Sequence, residues 1–557
     1  MTAVASTPAT IGGEAAPVDE REAPPRRWPH VLGVGAIVSL YAALYSTYLL
    51  ILHSTLQDGL ADVGEYDQAI SGYAHFMGPH SPFVGLHGAG DAGKLQLADH
   101  FTPLLALMAP FYWIHDGPET MLVETAVLTA LPIIPLWLFV RRAVRNSGRF
   151  GALAGNLSAY LVVIGYGVTW PLQMALWFEF HEVFLELPIL MWMIERAQAG
   201  RLRQAALISL LLLGVKDDMG FVVAVFGLYL ATKDATLRDW WRLLRRAPRR
   251  PRLLLETIRR RDRAWFLALV PIGIGMVWLV AQVLLPAAGG SPNRDFTYTE
   301  FGSNQSAAIH AMLADPGNTF GTLFNSHYKT QTLQMLLWPV LGLCLLSPLS
   351  LMAAPLLLER FLSVNQLYWV MPYHYNAFLV PIMFCAGVDG ALRLSRWLTS
   401  ARLSTQVARH GQLVRSALMT AFAMYVAIYA WSTFDRYPMH HMTEAAFWDV
   451  SNPSVVAAKQ AASKIPDNVY VASATQVGPQ LLSRDKVVMW GPPGDRNYPP
   501  PPWVLADVQR TSYPFSGKTD AQKIAAQRAE VQRLESAGYR VVFQSDGWVV
   551  LHNAALD

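Results

Sequence analysis

Residues 204–232 read QAALISLLLLGVKDDMGFVVAVFGLYLAT, and whether this stretch crosses a membrane once or turns back decides the order of everything after it. Two apolar arms flank a central VKDD at 215–218. Each arm has about 12 to 15 residues, or ~20 Å of helix, against the ~30 Å of a hydrocarbon core. The flanks on both sides are basic: 195–203 reads ERAQAGRLR, and 233–263 holds twelve Lys and Arg against four Asp and Glu. Such loops collect on the cytoplasmic side. Both flanks therefore belong on one side, and the stretch goes out and comes back. Its reversal places Lys216, Asp217 and Asp218 near the outer face. One long tilted helix would break the charge pattern downstream.

The rest of the chain fits a membrane setting. It has 557 residues, 53% hydrophobic and 15% charged, with a mean hydropathy of +0.25. Soluble domains carry about 25% charged residues. Apolar runs at 30–52, 119–140, 150–169, 176–196, 204–215, 218–232, 264–285, 331–345, 346–358, 376–392 and 413–433 predict about eleven transmembrane helices. Arg26 and Arg27, RRAVRNSGR at 141–149 and the arginines between 393 and 415 all fall on the cytoplasmic side under this path. The basic 233–263 run reads as a loop lying on anionic lipid rather than a nucleic-acid surface. Residues 1–29 are rich in Ala, Pro and Glu and read as a disordered cytoplasmic tail. Cys344 and Cys385 lie in apolar runs, without disulfide or metal spacing.

After residue 433 the pattern changes. NVYVASA, KVVMW, WVLADV, YRVVFQ and GWVVLH read as short strands, and 453–465 and 520–538 as amphipathic helices, the second closed by Gly538. The fold class is thus mainly α, a polytopic helical membrane protein with a small extracytoplasmic α/β domain at 434–557. The Pro-rich GPPGDRNYPPPPW at 491–503 lacks the glycine spacing of a phosphate loop.

The odd helix count gathers the informative polar residues outside. The first outer loop, 53–118, contributes Asp62, Glu65, Asp67 and His75, then Asp99 and His100 ahead of an apolar stretch that reads as an interfacial helix. Asp99 also suits a helix start through the dipole alone. FEFHEVFLE at 178–186 adds Glu179, His181, Glu182 and Glu186, four ionisable groups among aromatic residues at a costly place for charge. Lys216 with Asp217 and Asp218 has a bland reading as a structural ion pair. Later outer loops offer Arg294, Lys329 and Arg360, then Trp369, Tyr373, His374 and Tyr375. Carboxylates serve as general bases, Lys and Arg hold phosphates, and aromatic rings stack on sugars or line lipid grooves.

DVGEYDQAI, ADHFTPLLALMAPFYWI, FEFHEVFLELP, VKDDMGFVVAVFGLYL and YHYNAFLVPIMFCAG, in that order, resemble the bacterial polytopic family catalogued as domain of unknown function 2079. The resemblance covers roughly residues 30–550, and the family is similar to the GT-C glycosyltransferase superfamily. It implies a GT-C-like transmembrane domain at 30–433 with juxtamembrane helices at 53–118. It also implies a multi-pass bacterial inner-membrane location, with the N-terminus cytoplasmic. The implied activity is transfer of a sugar from a polyprenyl-phosphate donor to an envelope glycan or other hydroxyl acceptor. Asp67 is the implied general base, with Asp62 open as the alternative. Asp99, His100, Glu179 and His181 would orient acceptor and base. Lys216, with Arg294, Lys329 or Arg360, would bind the donor phosphate. Glu182, Asp217, Asp218, Trp369, Tyr373, His374 and Tyr375 would line the substrate site. A divalent cation, Mg or Mn, held by Asp67, Asp99, His100 and Glu179 stays open. So do a lipid-substrate transporter or flippase and a non-catalytic envelope scaffold.

Overall fold

The computed structural model describes residues 28–84, 94–145, 148–233, 263–291, 296–400, 410–492 and 499–557. The expected tail up to residue 27, most of the basic 233–263 loop, Arg294 and the centre of the Pro-rich 491–503 loop lie outside these residues. Six of the described helices are long and apolar enough to cross a membrane: Pro29–Ser54, Pro118–Arg145, Gly151–Trp177, Ala264–Ala287, His374–Leu398 and Gly411–Arg436. Apolar side chains left on their surfaces, such as Leu40, Trp278 and Ile428, are of the kind a hydrocarbon layer covers.

Residues 204–232 do turn back. Helix Leu202–Leu210 tightens into a 3-10 turn at Leu211–Gly214, and Met219–Thr232 leaves as a second helix. At the turn, Lys216 Nζ pairs with Glu182 at 2.7 Å. At the far end of the second helix, Arg263 donates to the Lys233 carbonyl at 2.6 Å. The reversal and the basic flank therefore sit at opposite ends of the helix Met219–Thr232. The second helix packs on Leu269–Leu279 at glycine contacts. A Cβ on Gly220 would lie 2.3 Å from the Gly273 carbonyl oxygen, and one on Gly273 2.2 Å from that of Gly220. Only hydrogen fits between backbones so close. On the basic side, Arg142 Nη2 meets the buried Glu195 at 2.6 Å, so the ends of the second and fourth expected helices lie together.

Three expected helices are broken, each for a local reason. The 176–196 run divides into Trp170–Trp177 and Val183–Gln198, with 178–182 as a loop in which Glu179 takes a φ of +71°. The 331–358 region is a bent path rather than two continuous helices. His327–Leu337 gives way to 3-10 turns at Trp338–Val340, Leu343–Leu346 and Pro348–Ala353, then Ala354–Leu362. Pro339 and Pro348 remove backbone donors, and Leu341 and Gly342 reverse the chain in the left-handed region. This bend lies against the span His374–Leu398, where a Cβ on Gly390 would be 1.8 Å from the Leu343 carbonyl oxygen. The interfacial stretch near 101–115 is a 3-10 turn, Pro103–Leu107, and a single helical turn, Ala109–Tyr112.

All five expected strands form: β1 Tyr470–Ser473, β2 Lys486–Met489, β3 Trp503–Asp507, β4 Arg540–Ser545 and β5 Trp548–His552. The sheet order is β2-β1-β3-β5-β4. β1 runs parallel to β2 and β3, and β5 antiparallel to β3 and β4. Asp546-Gly547, both with positive φ, makes the two-residue turn between β4 and β5. The segment after β1 reaches the end of the first span and the helix that follows it. Leu60 N–H donates to the Thr475 carbonyl at 2.9 Å, and Gln480 Nε2 donates to the His53 carbonyl at 3.0 Å.

Candidate functional site

The site is built on a 15-residue helix, Leu60–Ala74, in the segment that follows the first span. Its period sets Asp62 and Tyr66 on one face. Asp67, five residues from Asp62, lies about 140° around the axis. A helix start leaves backbone N–H groups without partners. Here Glu179 accepts from Gly59 N–H, and Thr475 from Leu60 N–H. The left-handed backbone of Glu179 costs about 1–2 kcal/mol. Its side chain in turn holds the loop that presents His181 and Glu182.

On the Asp62 face, distant segments meet. Glu182, fully buried, accepts a hydrogen bond from the Tyr66 hydroxyl on one oxygen and the Lys216 ion pair on the other. His181 Nε2 lies 3.6 Å from Asp62 Oδ1. Its ring stacks on His374, with centroids 3.5 Å apart. His100 reaches Asp99 at 3.5 Å and Asp217 at 3.9 Å. The Tyr375 ring lies 6.0 Å from Lys216 Nζ and 5.9 Å from the Arg360 guanidinium carbon. Side-chain exposure rises from 1% at Glu182 and 12% at Lys216 to 31% at Asp62 and 36% at Asp217. The arrangement is a buried cation with water-accessible acids beside it. Burial would lower the Lys216 amine, but Glu182, Asp218 and Glu186 hold it charged, well above the ordinary lysine value. Burial raises the Asp62 carboxyl, and His181 works against that rise.

Asp67 faces elsewhere. It accepts from the Tyr112 hydroxyl at 2.8 Å and is buried. Burial pushes its carboxyl up, the Tyr112 bond opposes this, and Asp116 and Glu119 add to the rise, leaving it at about 7. An unfolded aspartate titrates near 3.9. The fold thus keeps a proton that the unfolded chain releases between about pH 4 and 7, so this residue costs stability as pH rises through that window. Asp67→Asn keeps an acceptor for Tyr112 and removes the cost. Thermal unfolding in detergent micelles should show the variant more stable than wild type at pH 8, by at most about 4 kcal/mol. The gain should shrink towards zero near pH 4. An equal effect at both pH values would contradict this reading.

The other expected residues divide. Glu179 stands next to the cluster as a positioning group. Lys329 does not present a free amine: Nζ donates to the Thr322 carbonyl, Asn325 Oδ1 and the Phe361 carbonyl at 2.8, 2.9 and 2.6 Å. Trp369 lies under that amine at 5.1 Å and donates to the Ser363 carbonyl, so both belong to a structural knot. Arg360 donates to the Tyr368 carbonyl and to Asn376 Oδ1, and its buried Nη1 has no hydrogen-bond partner. Tyr373, with a φ of +76°, packs edge-on against Phe178 at 4.6 Å. Asp67, Asp99, His100 and Glu179 do not gather as a ligand set among the described residues.

Sequence reasoning passed over Tyr66, although its i+4 spacing from Asp62 marks one helix face. It also missed His53, which meets Asp58 at 2.6 Å and Gln480 Nε2 at 2.9 Å. No local signal pairs residues 427 positions apart.

The chain matches the family model described as "Predicted membrane protein (DUF2079)" over residues 52–550. No curated protein matches it in sequence. Two similar solved structures are both of ArnT from Cupriavidus metallidurans. The apo structure has a TM-score of 0.48 and 13% identity, covering 95% of this chain and 99% of that chain. The structure bound to undecaprenyl phosphate has a TM-score of 0.46 and 13% identity, covering 95% and 98%.

Proposed function

From the premise that the chain belongs to the DUF2079 family of predicted membrane proteins, we propose that it is a GT-C-type glycosyltransferase. It moves a sugar from a polyprenyl-phosphate donor to a hydroxyl of an extracytoplasmic envelope acceptor. The supporting observation is the convergence of Asp62, His181, Glu182 and Lys216 in segments that lie between the spans, with the cation nearly buried and the Asp62 carboxylate partly exposed.

In this reading the acceptor oxygen attacks the anomeric carbon and its proton passes to Asp62. The bond from that carbon to the donor phosphate breaks, and the phosphate leaves with one more negative charge. Lys216 meets that charge, and the unpaired Nη1 of Arg360 is a second donor close by. A raised carboxyl at Asp62 suits a base working near neutral pH. His181, stacked on His374, stands beside the base, while Asp217 and His100 line the more exposed side. The segment 474–482 covers the start of the helix that carries Asp62.

The test is direct. Protein reconstituted in liposomes with polyprenyl-phosphate pentoses or hexoses and a glycan acceptor should release free polyprenyl phosphate, read by mass spectrometry. Purified protein should also retain a polyprenyl phosphate. If no lipid is retained and no donor is consumed, the proposal fails. Donor movement across the bilayer without cleavage would instead mark a flippase.

A further inference from the structure

A second group of ligand-type side chains lies apart from the Lys216 cluster, where the chain leaves its last span. The sequence YPMHHMTEAAFW, 437–448, forms a 3-10 turn, Pro438–Thr443, and then a second, Ala445–Trp448. Glu444 joins them, its N–H bonded to the His441 carbonyl at 2.9 Å. His440 Nε2 lies 3.2 Å from Glu444 Oε1 and His441 Nδ1 lies 3.1 Å from Glu444 Oε2. Each of the three residues offers one ligand atom, and these lie within 4.8 Å of one another.

Hydrogen bonding fixes the character of one ring. His440 Nδ1 is 2.9 Å from the Tyr437 carbonyl oxygen. A carbonyl only accepts, so Nδ1 carries the hydrogen. In the neutral ring Nε2 then turns a lone pair toward a carboxylate oxygen, and two acceptors face each other. That arrangement needs a cation between them, either a proton or a metal ion. Zinc bonds of 2.0–2.2 Å at tetrahedral angles set neighbouring ligand atoms roughly 3.3 Å apart. The two observed His–Glu separations, each to a different carboxylate oxygen, are close to this. The Tyr437 carbonyl is the usual outer partner of a ligating imidazole. Trp177 holds the His441 ring at 5.7 Å between centroids. The side chains are 30%, 37% and 49% exposed, leaving room for water at the remaining position.

We propose that His440, His441 and Glu444 form a binding site for a divalent transition-metal ion of zinc type. Two imidazoles and one carboxylate favour zinc over magnesium or calcium, which take oxygen ligands. The ion would brace the joint between the last span and the outer α/β part. Phe447, three residues on, stacks on Tyr48 of the first span at 5.5 Å. Bracing the joint would thus hold these two spans in register.

The test uses the full chain, purified with a tag that carries no histidine, stripped with a chelator and titrated with Zn²⁺ against a chromophoric competitor at pH 7.5. Wild type should bind one equivalent at this site. Glu444→Gln, which keeps shape and loses charge, should weaken it at least about tenfold. The His440→Ala/His441→Ala double variant should abolish it, and the exposed His75→Ala should change nothing. Co²⁺ should give a visible absorption band in wild type that is lost with the double variant. If wild type takes up no zinc, or Glu444→Gln and the double variant bind it as wild type does, the site is only a surface cluster of two histidines and a glutamate and the proposal is overturned.

Discussion

Lys216→Met is expected to abolish glycosyl transfer and to destabilise the protein more than any other exchange in the site. The amine is nearly buried and pairs with the fully buried Glu182 at 2.7 Å. Removing it leaves an anion inside the protein without its counter-charge, which costs about 3–5 kcal/mol. The double variant Lys216→Met/Glu182→Gln should recover most of that loss, since neither member then carries an uncompensated charge and Tyr66 still has an oxygen to bond. It should not recover transfer, because the leaving phosphate has lost its nearest cation. Thermal midpoints in micelles read the first effect and polyprenyl phosphate release reads the second. A stable single variant would show that the pair matters little. Turnover by the double variant would remove Lys216 from the chemistry.

Asp62→Asn should cut transfer by about 10²- to 10⁴-fold at neutral pH, the range for loss of a general base. Its thermal midpoint should stay near wild type, because the Asp62 side chain is 31% exposed and Asn has nearly the same shape. Asp67→Asn should keep activity within about twofold while changing pH-dependent stability. The two aspartates are five residues apart on one helix and separate cleanly in this comparison. Burial raises the Asp62 carboxyl, so the acid limb of the wild-type pH–rate profile should lie above the ordinary carboxylate value. Residual turnover in the Asn variant should lack that limb. Inactive Asp67→Asn with active Asp62→Asn would reverse the assignment.

The difference between these residues shows how far the residues alone could be read. The reversal at Lys216 was legible because charge on both flanks constrains the path from outside. The five C-terminal strands were legible because their short β-branched and aromatic runs and the turn residues between them are local. Which aspartate turns toward the His181 and Glu182 loop was not, since it depends on where a helix begins and how it is rotated. Gly59 and Leu60 are held by Glu179 and Thr475, from far along the chain. Lys329 looked like a phosphate ligand because its three backbone and amide acceptors come from folding, not from sequence spacing. The broken 331–358 region carried its own warning in Pro339, Gly342 and Pro348, against which its hydrophobicity argued for continuous helices.

The bond from Leu60 to Thr475 spans 415 positions. During synthesis the ribosome makes the helix bearing Asp62 early and the strand-following segment that caps it near the end. At about 5–20 residues per second, the wait between them is tens of seconds. A nascent chain already threaded into the bilayer therefore has its acid and its lysine, yet lacks the segment that caps the helix carrying the acid. Under the proposed function, a translation product truncated before residue 475 should show no transfer and release no polyprenyl phosphate.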